Sequence, residues 1–186
     1  MIYGVGFNKP IEGEKIYRVY ENGKNTKCYN AWQGMLQRCY DPKYHAKNPT
    51  YIGTECYNEW FNFQVFAKWY HENYYEIKGE KMHLDKDLLS RESKIYSPKS
   101  CIFLPKTINE ALVCGKGCIF RKKTNKYQAR ISYKGENIHL GYFTTEEEAR
   151  YTYQLNKQLI IYLLAQEYKD KLPTKVYEAL MDYQIE

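Results

Sequence analysis

The sequence predicts an α+β protein in two parts: helices with short strands first, then a three-stranded antiparallel sheet backed by one long helix. Three observations carry this reading. Apolar residues recur at helical spacing over residues 29–40 and 58–72. Alternation runs through 126–133: Tyr127, Ala129, Ile131 and Tyr133 share one face, and Lys126, Gln128, Arg130 and Ser132 the other. A capping-box signature, Thr145 followed by Glu148, then opens a long helical stretch. A chain of 186 residues with 44% hydrophobic content suits one medium domain or two small ones.

The elements follow in order. Residues 14–28 hold a hairpin that turns at Asn22-Gly23. The helix over 29–40, with Asn30 as its N-cap, puts Trp32, Met35, Leu36 and Cys39 on one face. A polar loop with Pro42 and Pro49 fills 41–54. The second helix carries a stripe of Trp60, Phe63, Phe66, Ala67 and Tyr70. Residues 82–89, MHLDKDLL, read as a short strand, and Ser97-Pro98 turns the chain into an apolar strand at 101–104 and a helical piece at 107–112. Gly115 and Gly117 mark the boundary, which gives domains 1–112 and 113–186. Three strands follow at 118–122, 126–133 and 137–143, with turns at Thr124-Asn125 and Lys134-Gly135. The long helix is expected to bury Ala149, Tyr153, Leu159, Ile160 and Leu163, and a last helix runs over about 174–183, after Pro173.

Charge placement points to a partner. The net charge is +6, and residues 114–143 carry all of it, with seven Lys and Arg against one Glu. Such a localised basic segment selects a polyanion. The 21 tyrosines add apolar area with a hydroxyl able to reach phosphate or water. No apolar run approaches the length of a membrane span, and the N-terminus lacks a basic start followed by an apolar stretch, so neither a membrane partner nor a signal peptide is expected and the location is expected to be cytoplasmic. The cysteines (28, 39, 56, 101, 114 and 118) form no CxxC pair, so a structural zinc is not expected and buried thiols are the default.

On the outward face of the second strand, Arg and Gln can make bidentate contacts to guanine and adenine edges. The stretch GCIFRKKTNKYQARISYKGENIHLGYFTTEEEARYTY resembles the Apetala/ethylene-response-factor type DNA-binding domain. The resemblance rests on Gly117, Tyr127-x-Ala129-x-Ile131, Ile138-x-Leu140-Gly141-x-Phe143 and Thr145-x-x-Glu148-Ala149-x-x-x-Tyr153. It implies a sheet laid in the major groove of double-stranded DNA. Arg121, Gln128, Arg130, Ser132 and His139 would lie on the DNA face, and Lys122, Lys123, Lys126 and Lys134 would contact phosphates. That family usually has Trp where His139 stands.

The first part is similar to a phage-type group within the HNH homing endonucleases. The shared pattern runs Trp32-x-x-Met35-x-x-Arg38-Cys39, Tyr51, Cys56-x-x-x-Trp60, Leu84-Asp85-Lys86, Tyr96-x-Pro98-x-x-Cys101 and Asn109. It implies a small HNH-like ββα-metal nuclease domain that hydrolyses a phosphodiester bond in DNA within a bacterial host cell. Asp85 and Asn109 would hold Mg²⁺ or Mn²⁺. Lys86 stands where the family has its His base, so His83, two residues before Asp85 on the same strand face, is the candidate base. Asp87 is either a second ligand or a salt-bridge partner of Lys86 or Arg91, and Ser93 stands where the group tends to place Asn. The alternative function is a catalytically inactive DNA-binding or counter-defence protein on a degenerate scaffold of the same fold.

Overall fold

Thr26 starts the first long helix because its hydroxyl accepts from the Tyr29 amide, filling one of the donors that a helix start leaves open. In this computed structural model, which describes residues 1–90 and 93–185, the helix α1 therefore spans Lys27–Tyr40, and Asn30 lies inside it rather than at the cap. The chain is a mixed α+β protein with small sheets. It divides into two units: Met1–Glu76 with Met82–Phe103, and Ile77–Lys81 with Leu104–Glu186. The division falls before the helical piece expected at 107–112, ahead of the boundary read from the glycines.

The first unit is built on aromatic packing. Trp32, Met35, Leu36 and Cys39 of α1 are buried, as their spacing requires. Asp41 ends α1 and also caps a short helix, α2 (Pro42–Lys47), with its carboxylate on the Lys43 amide and Pro42 in the first turn. A 3-10 turn, Pro49–Tyr51, follows, so the expected polar loop is largely helical. The stretch expected as one helix at 58–72 is two pieces: a 3-10 turn, Asn58–Phe61, and α3 (Phe63–Asn73), restarted by the Asn62 side chain on the Gln64 amide. All five stripe residues are buried in it. The Trp32 indole donates to the Trp60 carbonyl at 2.6 Å, which satisfies the donor that burial would otherwise strand. Gln64, also buried, holds both the amide and the carbonyl of Tyr17, at 2.8 and 3.0 Å, and so pins the N-terminal arm to α3.

Short strands complete this unit. The hairpin β1 (Tyr20–Glu21) and β2 (Lys24–Asn25) turns through Asn22 and Gly23, both at positive φ. Strand β3 (Glu55–Cys56) pairs in parallel with β5 (Ile95–Tyr96). Strand β4 (Met82–Asp85) pairs with β6 (Ile102–Pro105), every residue of which is buried.

The second unit begins within β6 and continues as α4 (Lys106–Leu112). Strands β7 (Cys118–Arg121), β8 (Lys126–Tyr133) and β9 (Glu136–Phe143) form an antiparallel sheet in that order. Helix α5 (Glu146–Glu167) packs on it, with the Thr145–Glu148 capping box fully formed. Ala129 and Ile131 of β8 are buried beneath this helix, and Ala149 of the helix is buried as well. The buried face of α5 is Ala149, Tyr153, Lys157, Ile161 and Leu164, whereas Leu159 and Leu163 are exposed and Ile160 is half-buried. The expected stripe was thus displaced, because a lysine occupies the row where an apolar residue marks the face. Lys157 is 3% exposed, donates to the Val113 carbonyl at 2.9 Å, and has its pKa lowered by burial. Helix α6 (Thr174–Met181) closes the unit by burying Val176 and Leu180.

Candidate nucleic-acid interface and carboxylate site

The outward face of the sheet follows from the pairing. Cys118 lies opposite Ala129, and Phe120 opposite Tyr127, on the side of the helix. Ile119 opposite Gln128, and Arg121 opposite Lys126, therefore point away from it. On the other edge Gln128 faces Tyr142. The register then slips between Ala129 and Arg130 and passes over Leu140, so Arg130 faces His139 and Ser132 faces Asn137.

The side chains on this face bond to one another across the strands. Arg121 Nε donates to Gln128 Oε1 at 2.7 Å, which fixes the orientation of the amide. The Gln128 amide nitrogen then sits 3.0 Å from His139 Nδ1, so that nitrogen accepts and a neutral His139 carries its proton on Nε2. The His139 ring lies 4.8 Å from that of Tyr142. Ser132 Oγ donates to Asn137 Oδ1 at 2.7 Å. Arg130 is exposed beside this line, and Lys122, Lys123 and Lys126 are exposed around the β7–β8 turn. Lys134 instead pairs with Glu167 at 3.2 Å, which draws it toward the end of α5. Reasoning from sequence reached Arg121, Gln128, Arg130, Ser132 and His139 but not Ile119, Tyr142 or Asn137. Strand pairing was the missing signal.

In the first unit His83 and Asp85 share β4, both half-buried. The turn after the strand is folded onto Asp85: its Oδ1 accepts from the amides of Asp87 at 3.0 Å and Leu88 at 2.8 Å. Burial raises the Asp85 pKa above the ordinary carboxylate value, against these two hydrogen bonds. Lys86 is 7% exposed; its ammonium pairs with Asp87 and lies 3.4 Å from the Ser93 carbonyl. That is a structural ion pair within the turn. Of the two partners considered for Asp87, Lys86 is the observed one, and Arg91 lies outside the described residues. Asn109 sits on α4 in the second unit.

Among the described residues no group of three or more His, Cys, Asp or Glu side chains is placed to hold a metal ion. A carboxylate such as Asp85 still fits a hard divalent ion, because Mg²⁺ keeps several waters and takes few protein ligands. Burial pushes the thiols of Cys28, Cys39 and Cys101 up to about 12 and raises Cys56 as well. No helix among the described residues is long and apolar enough to cross a membrane. No family model, curated protein or solved structure matches the chain.

Proposed function

We propose that the second unit binds double-stranded DNA with the outward face of its sheet, in the manner of the Apetala-type domains it resembles. The observation that carries this reading is the line Arg121–Gln128–His139, bonded across all three strands with Arg130 beside it. The carboxylate of these strands, Glu136, stands opposite Tyr133, which shares the inward alternation of Ile131. A sheet is narrow enough for a major groove, and guanidinium and amide groups discriminate base edges there. Titration of duplex DNA against the full chain is expected to give a log–log salt slope of roughly −4, since about four phosphate contacts contribute about 0.9 each. A slope near zero would overturn the proposal.

A second reading adds phosphodiester hydrolysis in the first unit, as in the phage-type HNH endonucleases. The half-buried Asp85 carboxylate, held by two amides on one oxygen, favours it. Asp85 would hold Mg²⁺ or Mn²⁺, which supplies charge stabilisation at the phosphate and an activated water. His83 would take the proton from the attacking water, while Lys86 only anchors the turn. Asp85→Ala is expected to abolish Mg²⁺-dependent nicking of duplex DNA while affinity for DNA stays within about twofold. Because the Asp85 pKa is raised, activity should fall on acidification at a higher pH than an ordinary aspartate would impose. Nicking that survives Asp85→Ala would sink this reading. Absence of nicking from the unaltered protein would leave a DNA-binding protein without catalysis.

A further inference from the structure

The face that α5 turns away from the sheet carries large apolar side chains. Tyr151, Leu155, Leu159 and Leu163 recur every fourth residue, with Tyr162 beside Leu163, and all five are 44–62% exposed. At 3.6 residues per turn they lie on the side of the helix opposite the buried row of Ala149, Tyr153, Lys157 and Ile161. From Tyr151 to Gln166 the only charged residue is Lys157, and it is buried. An outer helix face is ordinarily polar, and a continuous apolar patch of several hundred Å² marks a contact surface. The stripe is its own complement: two antiparallel copies about a two-fold axis set Tyr151 against the partner's Leu163, and Leu155 against the partner's Leu159. The charges at the two ends agree with that direction. At the start Arg150 pairs with Glu146 and leaves Glu147 and Glu148; past the end Lys134 pairs with Glu167 and leaves Lys169 and Lys171 against Asp170. An antiparallel copy sets the acidic start beside the basic end, whereas a parallel copy sets like on like. Area fits as well. Five side chains this exposed present on the order of 500 Å². Two copies then bury on the order of 1,000 Å², the size at which a specific interface begins.

We propose that α5 pairs with α5 of a second copy of this chain, antiparallel and through this stripe, and that the dimer bridges two separate duplexes. The pairing stands on the stripe and its flanking charges; the bridging rests on the DNA reading of the sheet. The stripe and the sheet lie on opposite sides of α5, so the layers of the dimer run sheet, helix, helix, sheet. Ile119, Arg121 and Gln128 point away from the helix, and the two DNA faces therefore point away from each other. Neighbouring half-sites on one short duplex cannot meet both faces, and two duplexes can.

Sedimentation velocity of the full chain without DNA, over about 1–100 μM, is expected to show a dimer, since interfaces of this size reach that range of affinity. Leu155→Lys and Leu159→Glu, each alone, should weaken the dimer roughly tenfold or more, because each sets an unpaired charge at the centre of the seam. Both side chains are exposed in the single chain, so neither change should unfold it, and the melting temperature checks this. Combined in one chain, the two changes should restore the dimer, because an antiparallel pair sets the introduced lysine against the partner's introduced glutamate. A monomer throughout that range overturns the proposal, and so does a dimer that both single variants leave intact. Failure of the combined variant to re-form the dimer overturns the antiparallel arrangement. For the bridging, a bead-bound duplex is expected to retain a second, fluorescent duplex with the unaltered protein and not with Leu159→Glu, although that variant still binds a single duplex. A dimer that binds duplex but retains no second one overturns the bridging. A dimer that binds no duplex at all ends the DNA reading and leaves the pairing of α5 standing.

Discussion

Replacing Arg121 and Arg130 together with alanine is expected to weaken binding of the preferred duplex by roughly 30-fold to 10⁴-fold. Each well-oriented contact to a base edge is worth about 1–3 kcal/mol, and under the proposed function the two arginines would supply two of them. Arg121 also holds Gln128, whose amide orients His139, so its loss loosens the whole line. The coupling has a measurable signature. Arg121→Ala and Gln128→Ala should be less than additive, because both remove the same bonded unit, whereas Arg121→Ala and Arg130→Ala should add. Both arginines are exposed, so the melting temperature should barely move. Competition with unrelated duplex separates reading from mere charge: preference for the specific site should collapse along with affinity. If the double variant lost only the affinity expected of two phosphate contacts and kept its sequence preference, the sheet would not be the reader.

The sheet face was legible in the sequence because β8 alternates cleanly and the capping box fixes where α5 begins. A small residue at Ala129, between charged and amide neighbours, told which side carries the helix. What escaped was set by contacts distant in sequence. Gln128 and His139 are eleven positions apart and meet only because the strands pair with a slip at Leu140, which no local pattern announces. The stripe on α5 was misplaced because Lys157 is buried against a backbone carbonyl, and a charged residue reads as a solvent position. Asp41-Pro42 read as a loop because proline breaks helices, yet proline in the first turn after an aspartate is equally a helix start, and both roles meet here.

The first unit divides in the same way. The apolar spacing of α1 and α3 located the core residue by residue. Arg38 was visible only as one letter of a resemblance. The placement of its guanidinium over the Tyr96 ring is a property of the packed structure, since that ring comes from later in the chain. His83 and Asp85 were placed on one strand correctly, and of the two partners weighed for Asp87 the choice of Lys86 needed the folded turn to be seen.

Gly117→Ala is expected to produce a large loss of stability in the second unit. Gly117 adopts φ +70°, a conformation that costs a residue with a Cβ about 1–2 kcal/mol. An added Cβ would also lie 2.3 Å from Cγ of Tyr153 and 2.4 Å from its neighbouring ring carbon. Tyr153 cannot simply withdraw: its ring is buried, and its hydroxyl accepts from the Gly115 amide at 3.1 Å. Forcing the ring aside adds about 1–3 kcal/mol of overpacking strain. A total of roughly 3 kcal/mol corresponds to a fall of about 12–24 °C in the unfolding transition of a unit this size. The partial pairing of Arg130 through the Gly117 carbonyl, at 3.1 Å, makes the consequence functional, because the edge of β8 that presents Arg130 is held by that bond. DNA affinity should therefore fall together with stability, unlike in the arginine variants. Tyr153→Ala in the same chain removes the overlap but not the backbone strain, so the double variant should lose less than the sum of the single losses. A Gly117→Ala protein that melted within about 2 °C of the unaltered chain would show that the ring does not rest on this glycine.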